Sequence, residues 1–75
     1  MERYKNLGGD SGVSAYEIGD QCIKVQFRDG SVYLYTYQSA GAGNIERMKS
    51  LADAGQGLNS FIGLVVKKGY ASKLK

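Results

Sequence analysis

Apolar and polar residues alternate along stretches in the first half of the chain. They recur every three to four positions in the second half. From Cys22 to Phe27 the alternation is clean. Ile23, Val25 and Phe27 face one way, and Cys22, Lys24 and Gln26 face the other, as in a half-buried strand. Residues 13–18 and 32–37 read as two more strands, the latter β-branched and aromatic. Gly19-Asp20 reads as a type II′ turn between the first two, which sets Tyr16 opposite Ile23.

Asp29-Gly30 marks the second hairpin, and its register has two readings. A two-residue loop pairs Val25 with Leu34 and turns Tyr33, Tyr35 and Tyr37 away from Ile23. A three-residue loop, Arg28-Asp29-Gly30, puts Gly30 in a left-handed bulge and pairs Val25 with Tyr33. The tyrosines then join the core. One residue of register exchanges the two faces completely.

In the second half, Ile45, Met48, Leu51 and Ala52 recur at helical spacing. Asn44 is the expected N-cap, and Gly55-Gln56-Gly57 ends the helix with one of its glycines in the left-handed cap. On the wet face, Lys49 can pair with Glu46 or Asp53. A second helix starts near Leu58 or Asn59, and Asn59 caps it or bridges it to the sheet, the cap being the preferred role. Leu58, Phe61, Ile62 and Val65 form its stripe, and Gly69 ends it. The expected fold class is α+β: a three-stranded antiparallel β-meander, then two α-helices packed on one face. Residues 1–12 show neither period and read as a flexible arm, residues 13–70 as one domain, and residues 71–75 as a basic tail.

The run from Ser11 to Tyr70 resembles the KTSC domain family, found at the C-terminus of some lysyl-tRNA synthetases and as short stand-alone proteins. Ile23, Val25 and Phe27 match its aliphatic-x-aliphatic-x-Phe strand. Gly30, Tyr33 and Tyr35 match its Gly-x-x-Tyr-x-Tyr motif, and Leu58-Asn59 its later Phe-Asn-like step. Gln38-Ser39-Ala40-Gly41 replaces the family's Val-Pro step, and Tyr70 stands nearest to its closing tyrosine. The resemblance implies the same β-β-β-α-α order, tyrosines turned inward, and protein or nucleic-acid association without catalysis.

The chain has 75 residues, 43% of them hydrophobic, so it holds one small core and little room for a deep cavity. No apolar run approaches the roughly 20 residues that a membrane span needs. No secretory signal is legible, so the cytoplasm is the expected location. The net charge of +3 is uneven. Beyond Leu58 there are four lysines, Lys67, Lys68, Lys73 and Lys75, and no acid. Lysines there complement a helix C-terminus, and they also suit a phosphate backbone.

Catalytic chemistry finds little support. The chain has no histidine, hence neither the commonest general base nor the commonest zinc ligand. Cys22 has no such base to activate it and reads as a packing residue. Gly41-Ala42-Gly43 lacks the third glycine and the βαβ setting of a dinucleotide site. The carboxylates show no converging pair. No enzyme, cofactor, metal or small-molecule substrate is therefore expected.

Two kinds of partner remain. With the tyrosines inside, Val13, Ala15, Cys22, Val32 and Leu34 lie on the sheet face away from the helices. That apolar set calls for another protein, with a second copy of the chain as a candidate. Alternatively RNA or DNA binds weakly through Lys24, Arg28, Lys67, Lys68, Lys73 and Lys75, with Tyr33 and Tyr35 as a stacking surface. The protein-association reading leads at this level.

Overall fold

The computed structural model describes residues 1–9 and 11–75; Asp10, which falls in the expected arm, lies outside the described residues. Five antiparallel strands follow one another in sequence order across a single sheet. They are β1 (Glu2–Arg3), β2 (Val13–Ile18), β3 (Cys22–Phe27), β4 (Val32–Thr36) and β5 (Ser72–Lys73). Between β4 and β5 lie α1 (Tyr37–Ala40), α2 (Ala42–Ala54) and α3 (Leu58–Phe61), the last running into a π-helical turn at Ile62–Val66. The class is α+β, with five strands where three were expected.

The second hairpin takes the three-residue loop. Val25 pairs with Tyr33 and Ile23 with Tyr35. Gly30 has φ +90° and its N–H donates to Phe27 O at 2.9 Å. A left-handed residue here costs glycine little, which is why Asp-Gly closes the loop. Tyr35 consequently points into the core.

The first hairpin differs from its expected turn. Gly19 N donates to Cys22 O at 3.0 Å, so Asp20-Gln21 form the loop. Tyr16 lies across from Val25 rather than Ile23. The shift is two residues, so each side chain keeps its face. A bulge at Ser14, between Val13 and Ala15, breaks the alternation further on. It turns Val13 into the core, where 1% of its surface is exposed.

The helices cover one face. Ile45, Met48, Ala52, Leu58, Ile62 and Val66 close over Tyr16, Ile23, Val25 and Tyr35. Each fully buried Ile, Val, Leu or Met side chain contributes roughly 1.5–3 kcal/mol. The caps are not all those expected. Thr36 caps the unforeseen α1: Ser39 N donates to Thr36 Oγ1 at 3.1 Å, and Thr36 N to Ser39 Oγ at 3.0 Å. Gly41, not Asn44, precedes α2, and Asn44 Nδ2 donates back to Ala40 O. Gly55, at φ +77°, does end α2 in the left-handed conformation. Lys49 pairs with Glu46 at 3.0 Å, while its second contact is Asp20 O rather than Asp53.

At α3 the cap comes from elsewhere. Leu58 N donates to the Tyr4 hydroxyl at 3.2 Å, and Asn59 makes no capping bond. Tyr4 is 3% exposed. Residues 1–9 therefore take part in the fold: β1 pairs with β2, and Leu7 N donates to Gly55 O at 2.7 Å. A domain boundary at residue 13 falls too late. The expected tail also contributes structure, since β5 pairs with β4 through Tyr33–Lys73 and Leu34–Ser72. In the π-helical turn the wider spacing puts both Ile62 and Val66 in the core. Val65, expected on the apolar stripe, is exposed.

Candidate functional site

Arg28, Lys67 and Lys68 come from a hairpin loop and a helix end, and both segments open onto one groove. The groove measures about 540 Å³ and is walled by Phe27, Tyr33, Tyr35 and Tyr70. Its position follows from the register. Phe27, Tyr33 and Tyr35 lie on the helix-facing side of the sheet; Tyr35 is covered by the helices, while Phe27 and Tyr33 are only partly buried. The chain leaving the π-helical turn then brings Tyr70 against them.

The rings meet edge to face rather than in parallel. Phe27 and Tyr33 lie 5.7 Å apart at 78°, and Tyr33 and Tyr70 lie 4.6 Å apart at 59°. Such contacts add about 0.5–1.5 kcal/mol each beyond burial. The Lys73 ammonium stands 5.8 Å from the Tyr33 centroid, so β5 places a fourth cation beside the same rings.

Asp29 is the one acid in the groove wall among the described residues. Its carboxylate accepts from Ser31 Oγ at 2.6 Å and Ser31 N at 2.9 Å. Those hydrogen bonds hold its carboxyl below the usual aspartate range. Asp29 is thus occupied within its own turn. The ion pairs among the described residues are Lys24–Glu17 and Lys49–Glu46, and neither involves a cation of the groove.

Lys67 adopts φ +54° and ψ −119°, a conformation that favours glycine. It follows directly on the π-helical turn. Backbone strain of this kind costs about 1–3 kcal/mol and persists where surrounding structure imposes it.

Arg28 also lines a second, smaller groove with Arg3 and Lys5. The cationic surface therefore continues from the C-terminal lysines across Arg28 to the N-terminal strand. Three acids, Glu2, Glu17 and Asp53, line a different groove with Tyr16. Another groove, about 600 Å³ beside Tyr4, Asn59 and Gln56, has no charged side chain in its wall among the described residues.

Several expected site residues lie elsewhere. Lys24 projects from the sheet face away from the helices and pairs with Glu17 at 3.5 Å. Lys75 lies at the sheet edge, where Val32 N donates to its carbonyl at 3.2 Å. Tyr35 is 2% exposed and cannot offer a ring face to a stacking base. Phe27, Tyr70, Arg3 and Lys5 join the two grooves although the sequence reading gave them no binding role. The family motif had pointed to Tyr70 only as a closing residue.

The association candidates fare differently again. Val13 is in the core. Val32 is 9% exposed, with Leu74 N donating to its carbonyl. Ala15, Cys22 and Leu34 do share the outer sheet face, but each is half-buried. Lys24, Glu17 and Gln26 share that face with them. Among the described residues no group of three potential ligands could hold a metal, and no helix is long and apolar enough to cross a membrane. Comparison with protein-family models, with curated proteins and with solved structures finds no match to this chain.

Proposed function

We propose that this chain is a non-catalytic module that binds single-stranded nucleic acid, RNA or DNA, through the aromatic-walled cationic groove. One observation carries the reading. Arg28, Lys67, Lys68 and Lys73 come from three separate segments and converge on a single cluster of rings. Cations along a backbone track, with rings for the bases, are what a single strand requires. A duplex keeps its bases stacked and offers such rings little. The KTSC resemblance remains part of this reading, since Gly30 and Tyr33 of its motif help to shape the groove.

Association through the sheet face is the second reading, with less in its support. It rested on an exposed apolar surface, and none of Val13, Ala15, Cys22, Val32 or Leu34 is exposed.

Fluorescence anisotropy with a labelled single-stranded oligonucleotide tests the proposal. Binding should be weak and fall steeply with salt. Four phosphate contacts correspond to a log–log salt slope of about −2.8 for a single strand. Replacing Lys67 and Lys68 by alanine should lower affinity and bring the slope to about −1.4. No binding to RNA or DNA at low salt, or an unchanged slope in the double variant, would overturn it.

A further inference from the structure

The Tyr35 ring is buried, yet its hydroxyl has no hydrogen-bond partner among the described residues. No buried side-chain polar atom among those residues is both sealed from solvent and unpaired. The hydroxyl therefore keeps some contact with solvent, and Tyr35 lines the groove. The Tyr70 ring lies edge-on to the Tyr35 ring, with 6.2 Å between centroids at 88°, and Tyr33 lines the same groove. Burial raises the Tyr35 pKa to about 12, with the neighbouring Tyr33 and Tyr70 adding to the shift. At neutral pH the group is a phenol, able both to donate and to accept.

An unpaired polar group at the base of an aromatic-walled groove asks for a ligand with a polar edge. The rings set a limit on its size. Tyr33, the middle ring, is tilted against both Phe27 and Tyr70 and is parallel to neither. The groove's volume lies within the roughly 300–1,000 Å³ of small-molecule sites.

Resting on the proposed function, we infer that the groove takes one unstacked nucleobase at a time, whose polar edge hydrogen-bonds to the Tyr35 hydroxyl while Lys67 and Lys68 hold the adjoining phosphate. Such a base is a strand terminus or a residue turned out of its stack. Tyr35 is then a ligand-contacting residue although its ring belongs to the core.

Tyr35→Phe separates the two roles, because it removes only the oxygen. Its binding is compared with that of the native chain on a single-stranded oligonucleotide and on an abasic strand of equal length. The native chain should prefer the base-bearing strand by about tenfold. Tyr35→Phe should lower that affinity by about three- to tenfold and leave abasic binding unchanged. Equal native affinity for both strands overturns the single-base inference and leaves phosphate binding standing. So does Tyr35→Phe binding both strands as the native chain does, or losing both alike. No native binding to either strand overturns the proposed function as well. A second measurement needs no variant: a nucleoside 5′-monophosphate should displace the labelled strand at concentrations where inorganic phosphate does not. Equal displacement by the two counts against the inference.

Discussion

The Tyr4 hydroxyl accepts a hydrogen bond from Leu58 N at 3.2 Å, across 54 positions of sequence. Leu58 is the first residue of α3, so its N–H has no partner within the helix. Gly57 precedes it and has no side chain to serve as cap. The N-terminal segment thus completes a helix in the second half of the chain. Through Tyr4 it also adds a large ring to the core.

Tyr4→Phe should therefore destabilise the fold by about 1–3 kcal/mol, the cost of leaving a buried N–H unpaired. Tyr4→Ala should cost more, because it also opens a cavity. Urea unfolding followed by far-ultraviolet circular dichroism measures both. A Tyr4→Phe midpoint equal to that of the native chain would show that the hydroxyl does not cap α3.

High pH should loosen the fold. Tyr16 and Tyr35 both have pKa values raised to about 12. Burial is the main cause for each. Tyr16 also donates to Glu2 Oε2 at 3.2 Å and Asp53 Oδ1 at 3.3 Å, and both carboxylates repel a phenolate. An unfolded tyrosine ionises near 10. The folded chain thus binds protons more tightly than the unfolded one. Their contribution is complete below about pH 10 and is lost as pH rises towards 12. Melting temperature should be flat with respect to these groups up to pH 9 and then fall. Tyr35→Phe should fall less steeply. A melting temperature that stays flat up to pH 12 would contradict this linkage.

Lys67 sets stability against binding. Its φ of +54° strains a lysine but suits glycine. Lys67→Gly should raise stability by up to about 1 kcal/mol, once the entropy that glycine adds to the unfolded chain is counted. It should lower affinity for a single strand, since a phosphate contact is lost. Urea midpoints and anisotropy titrations on one preparation measure both. A variant that gains stability and keeps full affinity would remove Lys67 from the site.

The legible parts of this fold were those with a local cause. Ile23, Val25 and Phe27 declare their face by alternation, and Gly55 its cap by the left-handed turn. The second hairpin stayed between two registers, because Asp29-Gly30 closes either loop length. The Ser14 bulge has no local mark, so Val13 was assigned to the wrong face. β1 is two residues long, too short for any period to show, and Tyr4 could not be placed in the core. The site was legible in its ingredients rather than its assembly. Arg28, Tyr33, Lys67, Lys68 and Lys73 were all candidates. Arg3, Lys5, Phe27 and Tyr70 join them only through tertiary contact. Lys24 departs because its strand neighbour Glu17 pairs with it on the other face.

Strand length should separate the two grooves. Arg28 lines both, with Lys67 and Lys68 on one side and Arg3 and Lys5 on the other. A short oligonucleotide fills only the aromatic groove, while a longer one can follow the cations onto the N-terminal strand. Replacing Arg3 and Lys5 by alanine should therefore leave the affinity for a trinucleotide nearly unchanged. For a strand of about ten nucleotides the same variant should bind more weakly, and its salt slope should shrink by about 1.4. Both side chains are exposed, so the fold should tolerate the change. Arg28→Ala should weaken binding at both lengths, because both grooves lose a cation. Anisotropy titrations at several salt concentrations provide the affinities and slopes together. If removing Arg3 and Lys5 weakened short and long strands equally, the two grooves would not form a continuous track, and the N-terminal cations would act only through the overall charge of the chain.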